Sequence, residues 1–395
     1  MARSTTPWGT DLESEEWTGP DLADSRIVAW LRYGRTVGAS DLHLKPGAPP
    51  NLRVTGALTP IEGAAVLTGQ AISEMMGLLV GGKVSWSDFM LQRHELDVGL
   101  EPGGVGRLRV NALFDRGQPA VAIRLIPQTI PALDTLGLPA ITTSLVRRQK
   151  GLWIFTGATG HGKTTTQAAI LRAILNDRPR HVITLEDPIE YTHEHGGGLI
   201  SQREVGWDTE SFEQGIVSAL REDPDVILVG EMRDLETIRQ ALRAAETGHL
   251  VLTTLHTVDA SLVPDRIIDV FPATQQAQIR IQLSDVLMAV YAQQLVRTNR
   301  PAEEGEALDL SGRIAAVEVL LGPMAELYPA RAMIRTPSAG TLYTLMEQSH
   351  RAGCQTMERA LVELVEAGKL TEAAAREAAI RRDTFDRLMQ AKGMA

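Results

Sequence analysis

The 395-residue sequence predicts an α/β fold made of two modules followed by a helical region. Three observations carry that expectation. Between residues 140 and 323, short apolar runs (Trp153 to Thr156, Val182 to Leu185, Val226 to Val229, Leu250 to Thr254) alternate with helical stretches, the pattern of a largely parallel sheet. Upstream, polar and apolar residues alternate around proline- and glycine-rich punctuation, as in half-buried strands joined by turns. A glycine-rich stretch, "GATGHGKTTT" from Gly157 to Thr166, follows the apolar run Leu152 to Phe155 and opens a helical segment.

In chain order, residues 1–24 are polar and acidic, with Gly9, Glu13-Ser14-Glu15-Glu16 and Pro20, and are expected as a mobile tail that includes Trp8 and Trp17. A short helix begins near Ile27 and ends near Gly34 or Gly38. The stretch "SDLHLKPGAPPNLRVTGALTPI" reads as strands on both sides of a turn at Pro46 to Pro50. "GRLRVNALFDRGQPAVAIRLIP" repeats the pattern, with Leu108, Val110 and Ala112 on one face and Arg107, Arg109 and Asn111 on the other. These elements define an N-terminal module over 25–126. Pro127, Pro131 and Pro139 mark 127–139 as an interdomain linker, and the second module runs over 140–323. Residues 324–395 read as helical, and "MERALVELVEAGKL" places Met357, Leu361, Leu364 and Val365 on one face.

Composition narrows the class. A hydrophobic content of 44% supports sizeable cores and excludes a disordered chain. The single cysteine, Cys354, can neither close an intrachain disulfide nor supply a cysteine zinc cluster, and is expected as a small, semi-buried residue at a helix turn. No basic segment followed by an apolar one opens the chain, and no apolar run reaches the roughly 18 residues of a membrane span, so a cytoplasmic protein is expected. A net charge of -10 gives no overall attraction to nucleic acid, which is not expected as a partner.

The spacing Gly157-x-x-x-x-Gly162-Lys163-Thr164 fits a phosphate-binding loop in its strand-loop-helix setting. In such a loop, backbone N–H groups and a helix N-terminus converge on phosphate oxygens. Gly157, Ala158, Thr159, Gly160, His161, Gly162, Lys163, Thr164 and Thr165 are the candidate binding residues, for ATP and Mg2+. Lys163 would reach the β and γ phosphates and the Thr164 hydroxyl would ligate magnesium. In "DPDVILVGEMRD", Glu231 follows the strand Val226 to Val229, where an acid binds magnesium through water or polarises the attacking water. In "LEDPIEYTHEHGG", Glu186, Asp187 and Glu190 would add negative charge beside the metal. His249 and His256 flank the strand in "AETGHLVLTTLHT", positions from which histidines contact a γ phosphate or simply cap and pack near strand ends. His193 and His195 are read as packing residues.

Together these stretches resemble the secretion ATPase superfamily of type II and type IV machines, where they form the Walker A motif, Asp box, Walker B motif and His box. The likeness is greatest to its pilus-retraction branch and spans about residues 25 to 375, including "ASDLHL", "GAPPNLRVTG", "GRLRVNA", "RLIP", "QREVG" and "GEMRDLETIRQALRAAETGHL". It implies a homo-hexameric ring motor whose subunits pair a PAS-like N-terminal domain with a RecA-like P-loop ATPase domain and end in helices. It also implies roles: Lys163 and Thr164 as nucleotide and magnesium ligands, Glu190 as the Asp-box glutamate, Glu231 as the Walker B glutamate, and His249 and His256 as the His-box pair. Arg109 and Arg124 match N-terminal arginines that reach the phosphates, although sequence alone would read them as solvated strand charge.

The implied activity is ATP hydrolysis that powers pilus retraction by pilin disassembly. The implied partners are an inner-membrane pilus platform protein and a paralogous retraction ATPase, with the membrane touched only through partners. Alternatives are an assembly or secretion ATPase of the same superfamily and a non-hydrolysing regulatory partner. Extension motors typically carry a tetracysteine zinc module, which one cysteine cannot supply. Two departures stand out. Position 161, serine or threonine in typical relatives, is His161, and the retraction-linked helix AIRNLIRE is partly matched by "ARAMIRTP": with one residue dropped, Arg331, Ile334 and Arg335 fit but Ala332 and Thr336 do not.

Overall fold

The computed structural model describes residues 25–393 except 55, 82–83, 93–94, 128, 299–311 and 337–338. The tail expected over 1–24 lies outside the described residues. The chain divides into two compact units, residues up to 128 and residues from 129 onward.

The first unit runs α1 (Arg26–Thr36), β1 (Ala39–Leu44), β2 (Asn51–Val54), β3 (Ala57–Pro60), α2 (Gly69–Val80), α3 (Trp86–Gln92), β4 (Glu95–Leu100), β5 (Leu108–Asp115) and β6 (Gln118–Leu125). Its strands form a six-stranded antiparallel sheet in the order β3-β2-β1-β6-β5-β4. The alternation of β5 becomes a two-faced strand: Leu108, Val110 and Ala112 are buried with Ile27, Leu31, Ile72 and Met76 of the helices, while Arg109 and Asn111 are half-buried. Helix α2 starts where the Thr68 hydroxyl accepts the Ala71 N–H at 3.1 Å. The Arg35 guanidinium of α1 donates to the carbonyls of Val105, Arg107 and Ile126, tying that helix to the ends of β5 and β6.

In the second unit, a 3-10 turn at Leu133–Leu136 occupies the proline-spaced segment. Then come α4 (Thr142–Val146), β7 (Gly151–Thr156), α5 (Lys163–Asp177), β8 (His181–Glu186), β9 (Leu199–Glu204), α6 (Phe212–Ala219), β10 (Val226–Val229), α7 (Leu235–Glu246), β11 (Leu250–Thr254), α8 (Val263–Asp269), α9 (Ala273–Val286), β12 (Leu287–Arg297) and β13 (Arg313–Leu321). The seven-stranded sheet has the order β13-β12-β7-β11-β10-β8-β9. Every neighbouring pair is parallel except β12 with β13. The four expected strands are β7, β8, β10 and β11. Every residue of β7, β10 and β11 is buried, because helices cover both faces of a parallel sheet.

The chain closes with α10 (Pro329–Arg335), α11 (Ala339–Gln348), α12 (Met357–Glu366), α13 (Glu372–Ala378) and α14 (Arg382–Ala391). Met357 and Leu361 of α12 are buried with Phe385, Met389 and the strand residues Val296, Ile314 and Ala316 in a separate small core, and Leu364 and Val365 pack against it. Cys354 is fully buried, and burial pushes its thiol up to about 11, so it is an inert core residue. Among the described residues no helix is long and apolar enough to cross a membrane.

Candidate active site

Residues 157–162 connect β7 to α5. Gly157 and Gly162 adopt φ values of 131° and 80°, open to glycine but not to ordinary side chains. Both are pressed against β12: a Cβ at Gly157 would run into the Gln293 carbonyl oxygen, and one at Gly162 would meet Gln293 Nε2 at 3.0 Å. Gln293 is the hub beneath the loop, since its Oε1 accepts the Thr166 hydroxyl at 2.9 Å and its main-chain oxygen lies 3.3 Å from His161 Nδ1. Sequence reasoning missed Gln293 because it sits on a strand that was not expected.

No side chain caps the start of α5. Its first N–H groups are therefore available to an anion. Lys163 is buried within the loop, where its Nζ donates to Gly157 O at 2.7 Å and Ala158 O at 3.1 Å. Burial lowers its ammonium pKa from the ordinary value, against the upward pull of Glu231 and Glu190. Thr164 is half exposed, and Thr165 Oγ1 lies 3.0 Å from the Tyr191 hydroxyl. Burial also lowers the His161 imidazole, opposed by its contact with Gln293 O and reinforced by Arg313 and Lys163.

Parallel pairing sets the carboxyl end of β10 between those of β8 and β11. Gly230 is pinned there, its N–H donating to Leu185 O at 2.8 Å and its carbonyl accepting the Thr254 hydroxyl at 2.5 Å. The next residue, Glu231, spends both carboxylate oxygens: Oε2 lies 2.7 Å from Arg233 Nη2 and Oε1 lies 2.8 Å from His256 Nε2. Burial alone would raise its pKa, but the Arg233 hydrogen bond and His256 hold it below the ordinary value, so Glu231 stays ionised. Arg233 was not singled out from sequence, although it stands two residues beyond Glu231 in the same motif.

The other acids do not gather around a metal. Glu186 Oε1 accepts the Thr184 hydroxyl at 2.6 Å and Gln202 Nε2 at 3.1 Å, and burial pushes its carboxyl up to about 7. Asp187 is exposed and Glu190 half-buried. Among the described residues no group of three or more His, Cys, Asp or Glu could hold a metal ion, which departs from the expectation that Glu186, Asp187 and Glu231 join Thr164 as ligands. What remains suits magnesium that is carried in on phosphates, with one hydroxyl and waters completing its shell.

The two His-box residues also part company. His256 follows β11 and meets Glu231, whereas His249 precedes β11. The His249 carbonyl accepts the Gly151 N–H at the start of β7, and its Nδ1 lies 3.0 Å from Ala244 O. A five-residue strand spans about 17 Å. Within one chain, His249 therefore packs at the opposite edge of the sheet, the capping and packing alternative of its reading.

On the first unit, Arg109 and Arg124 stand directly opposite one another on β5 and β6. Like charges so placed are unfavourable. Each carries its own carboxylate: Arg109 Nη2 lies 2.6 Å from Asp97 Oδ2, and Arg124 Nε lies 3.1 Å from Asp41 Oδ1.

An uncapped helix start behind glycines, a lysine tucked into the loop and an ionised glutamate at the end of a nearby strand are the parts of a P-loop nucleotide site, here carried on a RecA-like sheet. The chain belongs to the family described as Type II/IV secretion system protein, whose model matches residues 37–379. It is similar to the type IV pilus retractation ATPase PilT of Pseudomonas aeruginosa, with 39% identity over 355 residues, 89% of this chain and 98% of the relative. The type IV pilus ATPase PilU of the same organism is 39% identical over 342 residues, 86% of this chain and 85% of the relative. A crystal structure of the pilus retraction motor PilT with bound ADP superposes with a TM-score of 0.80 at 38% identity, covering 91% of this chain and 99% of that one.

Proposed function

We propose that this chain is the ATP-hydrolysing motor of type IV pilus retraction, acting as a homo-hexameric ring at the inner face of the cytoplasmic membrane. The observation that carries the reading is Lys163, buried in a glycine-lined loop with, among the described residues, carbonyl acceptors alone at its Nζ. Those carbonyls hold the ammonium where the β and γ phosphates of ATP would replace them, and the N–H groups opening α5 bind the same phosphates. Thr164 supplies its hydroxyl to magnesium, which would neutralise charge on the transferring phosphoryl group.

Glu231 orients the attacking water once His256 or Arg233 yields a carboxylate oxygen. Glu190 adds negative charge on the Lys163 side of the site. Arg109 and Arg124 of the N-terminal domain, from the same or a neighbouring subunit, neutralise the γ phosphate, and a supplied arginine is worth about 10³ to 10⁵ in rate. Phosphate release would then let that domain move away, which gives the stroke. The partners are an inner-membrane pilus platform protein and a paralogous retraction ATPase.

Glu231→Gln is expected to retain ATP and release phosphate about 10²-fold or more slowly. Wild-type turnover in that variant would remove its role. Lys163→Ala is expected to lose nucleotide binding itself. In cells, deletion should leave hyperpiliated, non-twitching bacteria, whereas bald cells would point to assembly. A second reading is a regulatory partner that binds ATP without turning it over. Phosphate release by the purified chain alone separates the two.

A further inference from the structure

The loop that carries His256 is anchored at both ends. Near β11, the Leu255 N–H donates to Phe155 O at 2.9 Å and the Thr156 hydroxyl donates to Thr257 O. At the far end, buried Asp259 accepts the Ser261 N–H at 2.8 Å and the Ser261 hydroxyl at 2.6 Å on Oδ1, while Oδ2 pairs with Arg381 Nη2. The adjoining Ala260 N–H donates to Glu318 Oε2 of β13 at 2.7 Å.

Arg381 sits at the start of α14. Its guanidinium stacks 3.7 Å above the Tyr343 ring of α11, and its main-chain N–H donates to Glu358 Oε1 of α12 at 2.8 Å. One residue thus joins three C-terminal helices to the histidine loop. Two residues, Thr257 and Val258, separate His256 from Asp259, a span of at most about 11 Å.

Asp259, Glu318 and Glu358 form a buried acidic group around this single guanidinium, and Arg381 Nη1 and Glu318 Oε1 are buried without hydrogen-bond partners among the described residues. Unpaired buried polar atoms are costly. A solvated helix surface would not need them; the contact to Asp259 gives them a purpose. Arg381 also lies past the 37–379 span that the family model matches.

We propose that Arg381 is a positioning residue: through Asp259, the docked C-terminal helices hold His256 against Glu231 and so set how that carboxylate is presented to water. The inference rests on the ATPase reading above. A misplacement of about 1 Å at a catalytic group can cost up to 10²-fold in rate, so even a small release of the loop is visible in turnover.

The test is the neutral pair Asp259→Asn/Arg381→Gln, which removes both charges together so that neither is left buried alone. Phosphate release should fall about tenfold in kcat, with KM for ATP within about twofold. In a His256→Ala background the same double replacement should change kcat no further. In nucleotide-free protein, the His256 imidazole NMR signal, identified by its loss in His256→Ala, should shift. Arg381→Lys, which keeps the charge, is expected to recover part of the rate and is the fallback should the neutral pair fail to fold. Unchanged kcat, an equal loss with and without His256, or an unmoved imidazole signal would each overturn the proposal. If the unaltered chain releases no phosphate, the motor reading fails, and the imidazole signal still decides the positioning claim.

Discussion

The two sheets of this protein put their candidate site residues in different places. In the six-stranded sheet one face is covered and the other is polar, so Arg109 and Arg124 can stand in mid-strand and offer guanidiniums outward. In the seven-stranded sheet, β7, β10 and β11 are buried on both faces and leave no mid-strand position for chemistry. Its candidate groups (Lys163, Glu231 and His256) lie just past the carboxyl ends of strands, where the chain leaves the sheet. Whether a sheet is solvated on one face or on neither decides whether polar side chains can stand along a strand or only at its end.

The comparison breaks most sharply at the arginines. If the open face serves the phosphates, Arg109→Ala and Arg124→Ala should each lower kcat by roughly 10³. Their half-exposed ion pairs are worth no more than about 1 kcal/mol of stability, so circular dichroism should be unchanged. Unaffected turnover in both would return them to surface charge. At the strand ends, Gly157→Ala forces a methyl group onto the Gln293 carbonyl in a left-handed backbone, a strain of about 1–3 kcal/mol that should cut ATP affinity by about 10- to 10²-fold in a titration with fluorescent nucleotide.

The two edges of the parallel sheet can be set against each other directly. His256→Ala should reduce kcat about tenfold while His249→Ala stays within about twofold, because only the former touches Glu231. Equal effects would place His249 in the site by way of another subunit.

The smallest expected effect on turnover, and a separate one on stability, belongs to Glu318. Burial, with Asp259 and Glu358 adding like charge and the Ala260 N–H and Arg381 opposing, raises its carboxyl from 4.5 to about 8. The native chain therefore holds a proton that the unfolded chain has lost, so this contribution is full below about 4.5 and disappears as pH rises through about 8. Glu318→Gln should be less destabilised than the unaltered chain on going from pH 5.5 to pH 8, by about 1–3 kcal/mol in urea unfolding. Parallel pH slopes would show that Glu318 is ionised in the native state.

Legibility in the sequence followed how local each feature is. The phosphate loop was readable because its glycines, lysine and threonine are consecutive, and β7, β8, β10 and β11 because interior strands are short apolar runs. Edge strand β9, "LISQRE", is too polar to stand out, and β12 begins at Leu287 directly after α9 ends at Val286, with no turn residue between them. His249 could have been set aside from sequence, since in a parallel sheet the residue before a strand faces away from the carboxyl edge. Gln293 and the Asp259–Arg381 pair had no such signal: the latter two are 122 positions apart.

By itself, the sequence determined a phosphate loop, the strands that frame it and an acid within reach of it, since each depends on neighbours only a few residues away. Tertiary structure alone decided which distant side chains meet: Glu231 against His256, Glu186 drawn to Gln202, and His249 sent to the far side. Strand direction, sheet order and burial set those partnerships, and all three arise only when distant segments pack.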